Sequence, residues 1–144
     1  MPRNHLSLES TLIAHLRERV PALAHVAGAG ELAKLNESAA QSPAVYVVYD
    51  GERLGEASHD GARQIVFQRW LVVLFARHAA QDGGAALRAL AGERLAEIVA
   101  ALAGYRPDPI HPPLQRVNAP RPGYTPAAGW FPLAYEARLI IPVE

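Results

Sequence analysis

The sequence has no cysteine. Disulfides, thiolate nucleophiles, iron–sulfur clusters and thiolate zinc sites are therefore excluded. It also lacks a charge excess, with 14 basic residues against 14 acidic ones. Nucleic-acid binders normally carry a basic surplus, because phosphate contacts supply much of their affinity. A local basic patch is left open, but the whole-chain charge gives no support to that role. No stretch approaches the ~18–20 apolar residues of a membrane span. The N-terminal segment, Met1-Pro2-Arg3-Asn4-His5 and the mixed polar and apolar residues after it, lacks the apolar core of a signal peptide. A protein of the cytoplasm is expected. The G-x-S-x-G, P-loop and G-x-G-x-x-G fingerprints are missing too. Gly28-Ala29-Gly30 supplies two letters of the last, without a preceding strand.

What remains is a chain of 144 residues, half of them hydrophobic. That length suits one domain spanning 1–144 and can bury a core without staples. Zero net charge weakens repulsion between copies, which suits a protein that assembles.

The pattern reads as an α+β fold. Ser7 is placed to cap a first helix running to Arg19, with Leu8, Leu12, Ile13, Leu16 and Val20 on one stripe. Pro21 starts a short turn over 22–26, the segment 27–30 breaks it, and 31–35 forms one more helical turn. The small polar residues of 36–42 read as a loop. Pro43 opens a central strand over 44–49, ended by the turn signal Asp50-Gly51. The polar stretch 52–63 is expected as an exposed hairpin loop. The run 64–77 is read as a long strand, since β-branched and aromatic residues dominate it, and a bend or bulge is expected in so long a run. Asp82-Gly83-Gly84 breaks the pattern, and a helix comes next over 84–103, closed by Gly104 and Pro107. Seven of the twelve prolines fall between Arg106 and Pro126. That density leaves room only for a short edge strand over 114–118 and a turn-rich loop over 121–126. Alternation from Trp130 to Ile141 marks a last, half-buried strand, with Pro132 placing its start near an edge. The expected architecture is a mostly antiparallel sheet of about four strands, covered on one face by two amphipathic helices.

The sequence holds no recognisable catalytic, cofactor or metal set. The six histidines form no i,i+4 pair that could grip a metal. Ser58-His59-Asp60 has the letters of a triad, but adjacent loop residues rarely reach its geometry. Glu93 and Glu97 stand one turn apart on the long helix, where Arg88 and Arg94 make a solvated charged face the simpler reading. Arg69 interrupts the apolar set Ile65, Phe67, Leu71, Val73 and Phe75. Either that face turns to solvent there, or Arg69 meets an acid across an interface. Arg69, with Glu52, Arg53, Glu56, His59 and Arg63 of the polar stretch, forms the candidate set for contact between subunits.

Four segments carry a family resemblance: 42–51 (Ser-Pro-Ala-Val-Tyr-Val-Val-Tyr-Asp-Gly), 68–73 (Gln-Arg-Trp-Leu-Val-Val), 116–124 (Arg-Val-Asn-Ala-Pro-Arg-Pro-Gly-Tyr) and 129–136 (Gly-Trp-Phe-Pro-Leu-Ala-Tyr-Glu). With the order helix, hairpin, helix, last strand, the chain from Leu8 to Ile141 resembles the tail terminator, or tail completion, proteins of long-tailed bacteriophages and prophages. The resemblance implies a homo-oligomeric ring, usually a hexamer, on the head-proximal end of the tail tube. It implies the tail tube protein and the head–tail connector as partners, and no cofactor. DNA would meet the protein only in passing through the ring. The protein would act in the host cytoplasm during assembly and reside in the virion tail. The family shares no strict residue signature, so the resemblance assigns no functional residue. Another minor tail or connector protein, or a small hydrolase using His59 with distant partners, are the competing readings.

Overall fold

The computed structural model describes residues 4–37, 39–78 and 84–142. Ser38 of the expected loop, and Asp82 and Gly83 of the expected break, lie outside them. The order is α1 (Leu8–Arg19), β1 (His25–Gly28), α2 (Ala29–Leu32), β2 (Ala44–Ala57), β3 (Gln64–Arg77), α3 (Ala85–Leu102), β4 (Gln115–Val117), β5 (Gly123–Tyr124) and β6 (Ala128–Ile141). The strands lie in the order β1-β2-β3-β6-β4, with β5 also on β6. Among the described residues the fold is thus α+β, but the sheet is mixed and six-stranded, not mostly antiparallel with about four strands, and there are three helices where two were expected.

The spine is the antiparallel pair β3–β6. It runs without a register shift from Gln64 opposite Ile141 to Arg77 opposite Ala128. No bend of the expected kind interrupts β3 against β6; the irregularity lies in β2. There the register against β3 shifts between Tyr49 and Glu52, and again between Leu54 and Ala57. Asp50-Gly51, expected to end the strand, is this first bulge. Gly51 has φ +87°, open to glycine without strain, and an extra residue with that geometry turns the strand without ending it. The polar stretch is therefore mostly strand, and the true loop is only 58–63.

Alternation assigns the two faces. Val45, Val47, Trp70, Val72, Leu74, Phe131, Leu133, Tyr135 and Leu139 join one core with Leu8, Leu12 and Leu16 of α1 and Ala91, Ile98 and Leu102 of α3. The two amphipathic helices cover that face as their stripes require. The other face bears a second, smaller cluster: Ala44, Tyr46, Phe75 and Ala128, with Leu32, Leu35 and Trp130 packed on it. Chain around α2 therefore covers one end of the face expected to be bare.

Two short strands escape the sequence pattern. Residues 25–28, expected as part of a helical turn and its break, pair in parallel with β2, His25 opposite Ala44. Their strand character comes from that partner, not from local periodicity. Gly123 and Tyr124, expected within a loop, meet Trp130 and Gly129. The two long helices, α1 and α3, agree closely with expectation, although the Ser7 side chain makes no capping bond, whereas the short helix α2 takes Ala29–Leu32, starting inside the expected break, and not 31–35. Gly104 has the positive φ of a helix-ending glycine.

Packing at two glycines gives opposite expectations for the same substitution. A Cβ on Gly129 would lie 2.8 Å from the Phe131 ring and 3.1 Å from Leu87, whereas one on Gly92 in α3 meets nothing within 4 Å. Gly129→Ala is expected to destabilise by about 1–3 kcal/mol through overpacking. Gly92→Ala is expected to stabilise by about 0.5–1 kcal/mol. Urea denaturation of both variants against the parent checks the contrast.

Candidate functional site

Arg69 belongs to the sheet face opposite α1 and α3. Its β3 neighbours on that face, Ile65, Phe67, Leu71 and Val73, are half-buried, as are Val48 of β2 and Pro132 of β6. The apolar face is open there, and the charge inside it has partners within the chain. Arg69 Nε donates to Asp50 Oδ2 at 2.8 Å, and a guanidinium Nη donates to the Asn118 carbonyl at 2.8 Å. Register sets Arg69 opposite Glu136, but Glu136 is taken by Arg53, with N–H···O distances of 3.1 and 3.3 Å. Arg53 also stacks over the Phe67 ring, 3.7 Å from its centroid. A cation in that position is attracted by the ring's negative face. The site is therefore a half-exposed apolar surface with a row of alternating charges, Asp50, Arg69, Glu136 and Arg53, across its width.

The other candidates scatter. The bulge turns Glu52 to the helix side, opposite Gln68. There Glu52 accepts bonds from Tyr49 at 2.7 Å and from His5 at 2.6 Å. The His5 bond, then the Tyr49 bond, hold the Glu52 carboxyl below its ordinary range. Burial first, and then the bond to Glu52, push the Tyr49 phenol up to about 12. The buried Gln68 completes this anchor: it donates to the His5 carbonyl at 2.8 Å and accepts from the Trp70 indole at 3.1 Å. Glu56 is exposed on the outer arm of β2, while His59 and Arg63 are exposed in the 58–63 loop. Sequence reasoning misses Asp50, Phe67 and Glu136 as members of the set. Their involvement comes from cross-strand register, which no single segment encodes.

The possible chemistry is absorbed locally. Ser58 donates its hydroxyl to Asp60 at 2.7 Å and accepts the Arg63 N–H at 3.0 Å, the work of a turn. The bond from Ser58, then that from the Ala62 N–H, lower the Asp60 carboxyl. Glu93 and Glu97 both bind Arg94, at 3.1 and 2.9 Å. Among the described residues no group of His, Asp and Glu is arranged to hold a metal ion, and no helix is long and apolar enough to cross a membrane.

Three measurements check this geometry. A double-mutant cycle on Arg53 and Glu136 is expected to give a coupling of about 0.2–1 kcal/mol, shrinking with salt, as for other exposed pairs. In an alkaline absorbance titration, one tyrosine is expected to ionise near 12. Its folded phenol keeps the proton longer than the unfolded one. That contribution to stability is complete below the unfolded value near 10 and is lost as pH rises through about 12. Glu52 has the opposite sign: its contribution is present above the ordinary carboxylate range and is lost on acidification. Glu52→Gln should flatten that acid limb.

No curated protein is significantly similar to the chain. The phage tail terminator protein family matches residues 3–143. That match takes in both helices of the covered face, every strand, and the charged row on the open face, and by it the chain belongs to the phage tail terminator family.

Proposed function

We propose that this protein caps the head-proximal end of a phage tail tube as a homo-oligomeric ring, stops polymerisation of the tube, and offers its other surface to the head connector. The family match over nearly the whole chain carries the reading. The open sheet face supports it with chemistry suited to protein contact. Half-exposed apolar residues give area, and charges already paired inside the chain cost less to desolvate against a partner than unpaired ones would. Ser58, Asp60, Glu93 and Glu97 are engaged in structural bonds, which favours a structural rather than an enzymatic role, without a cofactor. On this reading the protein assembles in the host cytoplasm, ends in the virion tail, and meets DNA only as it passes through the ring. Arg69 and the hairpin arm of β2 and β3 contribute to subunit contact.

Sedimentation of the purified protein, alone and with tail tubes, tests the proposal, with electron microscopy to locate it on the tube. Association into a closed ring, or onto tube ends, is expected. Arg69→Ala is expected to weaken that association about tenfold, as truncation of an interface arginine commonly does. Removal of the 58–63 loop should weaken it as well. A strict monomer that never joins tubes, or both variants associating like the parent, would sink the idea.

A further inference from the structure

The outer edge of β6 is covered piecemeal. In an antiparallel ladder of unbroken register, alternate residues point their N–H and C=O away from the partner strand. On β6 these are the even-numbered residues, since the Ile140 N–H points away from β3. β5 meets Trp130, while β4 meets Ala134 and Glu136. Pro132, between them, has no N–H to leave unpaired. Ile140 lies beyond β4, and its N–H donates instead to His111 Nε2 at 3.2 Å.

His111 is only 5% exposed. Its Nδ1 lies 3.0 and 2.9 Å from the two Asp108 carboxylate oxygens. A carboxylate only accepts, so Nδ1 carries the proton and Nε2 presents the lone pair that Ile140 uses. Asp108 is itself fixed by the N–H groups of Ile110 and His111, each at 2.9 Å. Burial pushes its carboxyl up, but the bonds from the His111 ring and from these two N–H groups together hold it below its ordinary range. Asp108 is the charged group in contact with the ring among the described residues. On β6 the nearest titratable side chain in sequence, Arg138, is exposed on the open sheet face.

We propose that His111 is a pH-operated latch, which closes the outer edge of β6 while its ring is neutral and releases it on taking a second proton. Protonation of Nε2 removes the lone pair and sets two N–H donors against each other. The ring keeps Asp108 but loses Ile140, and the new Nε2–H faces a donor where it needs an acceptor, which only water can then supply. The proline-rich residues 106–113 then lift from the sheet, leaving the last residues of β6 as an unpaired edge open to another strand.

Nitrogen NMR of the His111 ring, combined with hydrogen exchange of the Ile140 amide across pH, tests the latch on the full chain. The expected spectrum of the neutral ring is that of the Nδ1–H tautomer. The Ile140 protection factor should fall about tenfold as the ring titrates, matching the loss of roughly one hydrogen bond. In His111→Gln the side-chain oxygen replaces Nε2 as acceptor, so protection should persist and its pH dependence vanish. An Nε2–H tautomer, a ring that stays singly protonated until the whole chain unfolds, or protection indifferent to the ring's titration would each overturn the proposal. Should the glutamine variant fail to fold, the parent's tautomer and protection profile decide alone.

Discussion

Everything in this molecule hangs on the pairing of β3 with β6. All fourteen residues of β3 have a partner there, and no bulge relieves the register. A slip of one residue would exchange the two faces and carry Trp70, Val72 and Leu74 away from the helices. The pairing joins segments separated by α3 and the proline-rich stretch, so it closes a long loop, the slow kind of contact to form. Once made, it sets Trp70 beside Tyr135 on the covered face and Arg69 beside Glu136 on the open one. Core and candidate interface are two sides of one register.

The prolines answer to the same constraint. After α3 the chain must return along the outer side of β6, and continuous pairing there would extend the sheet edge further. Instead only three residues of β4 and two of β5 bond to it. The density of proline that forbids a helix in this stretch also keeps these strands short, a usual way of blunting an edge.

Legible in the sequence is whatever repeats along one segment. The stripe of α3, the β-branched run of β3 and the alternation of β6 give their bounds to within about two residues, the usual uncertainty of an element's end. β1 is not legible, because His25-Val26-Ala27-Gly28 has no period of its own and becomes a strand only beside β2. Asp50-Gly51 reads as a turn because such a pair favours one. The chain uses it as a bulge, since β3 offers partners on both sides of it. Arg69 is legible as an anomaly, a charge in an apolar row. Its partners are not, because Asp50 reaches it only through the β2–β3 pairing and Asn118 only through the return of the chain after β4. The charged site can be suspected from one strand but assembled only from four segments.

The bulge at Asp50-Gly51 has a further effect. It divides β2 into a buried stem and an outer arm: Ala44 to Val47 are buried, while Arg53, Leu54, Glu56 and Ala57 are exposed. The arm and its 58–63 loop touch the main core little, so their length and composition can drift without disturbing the packing under α1 and α3. This end of the hairpin is therefore where the scaffold can be refitted, because changes there leave the buried stem of β2 as it is.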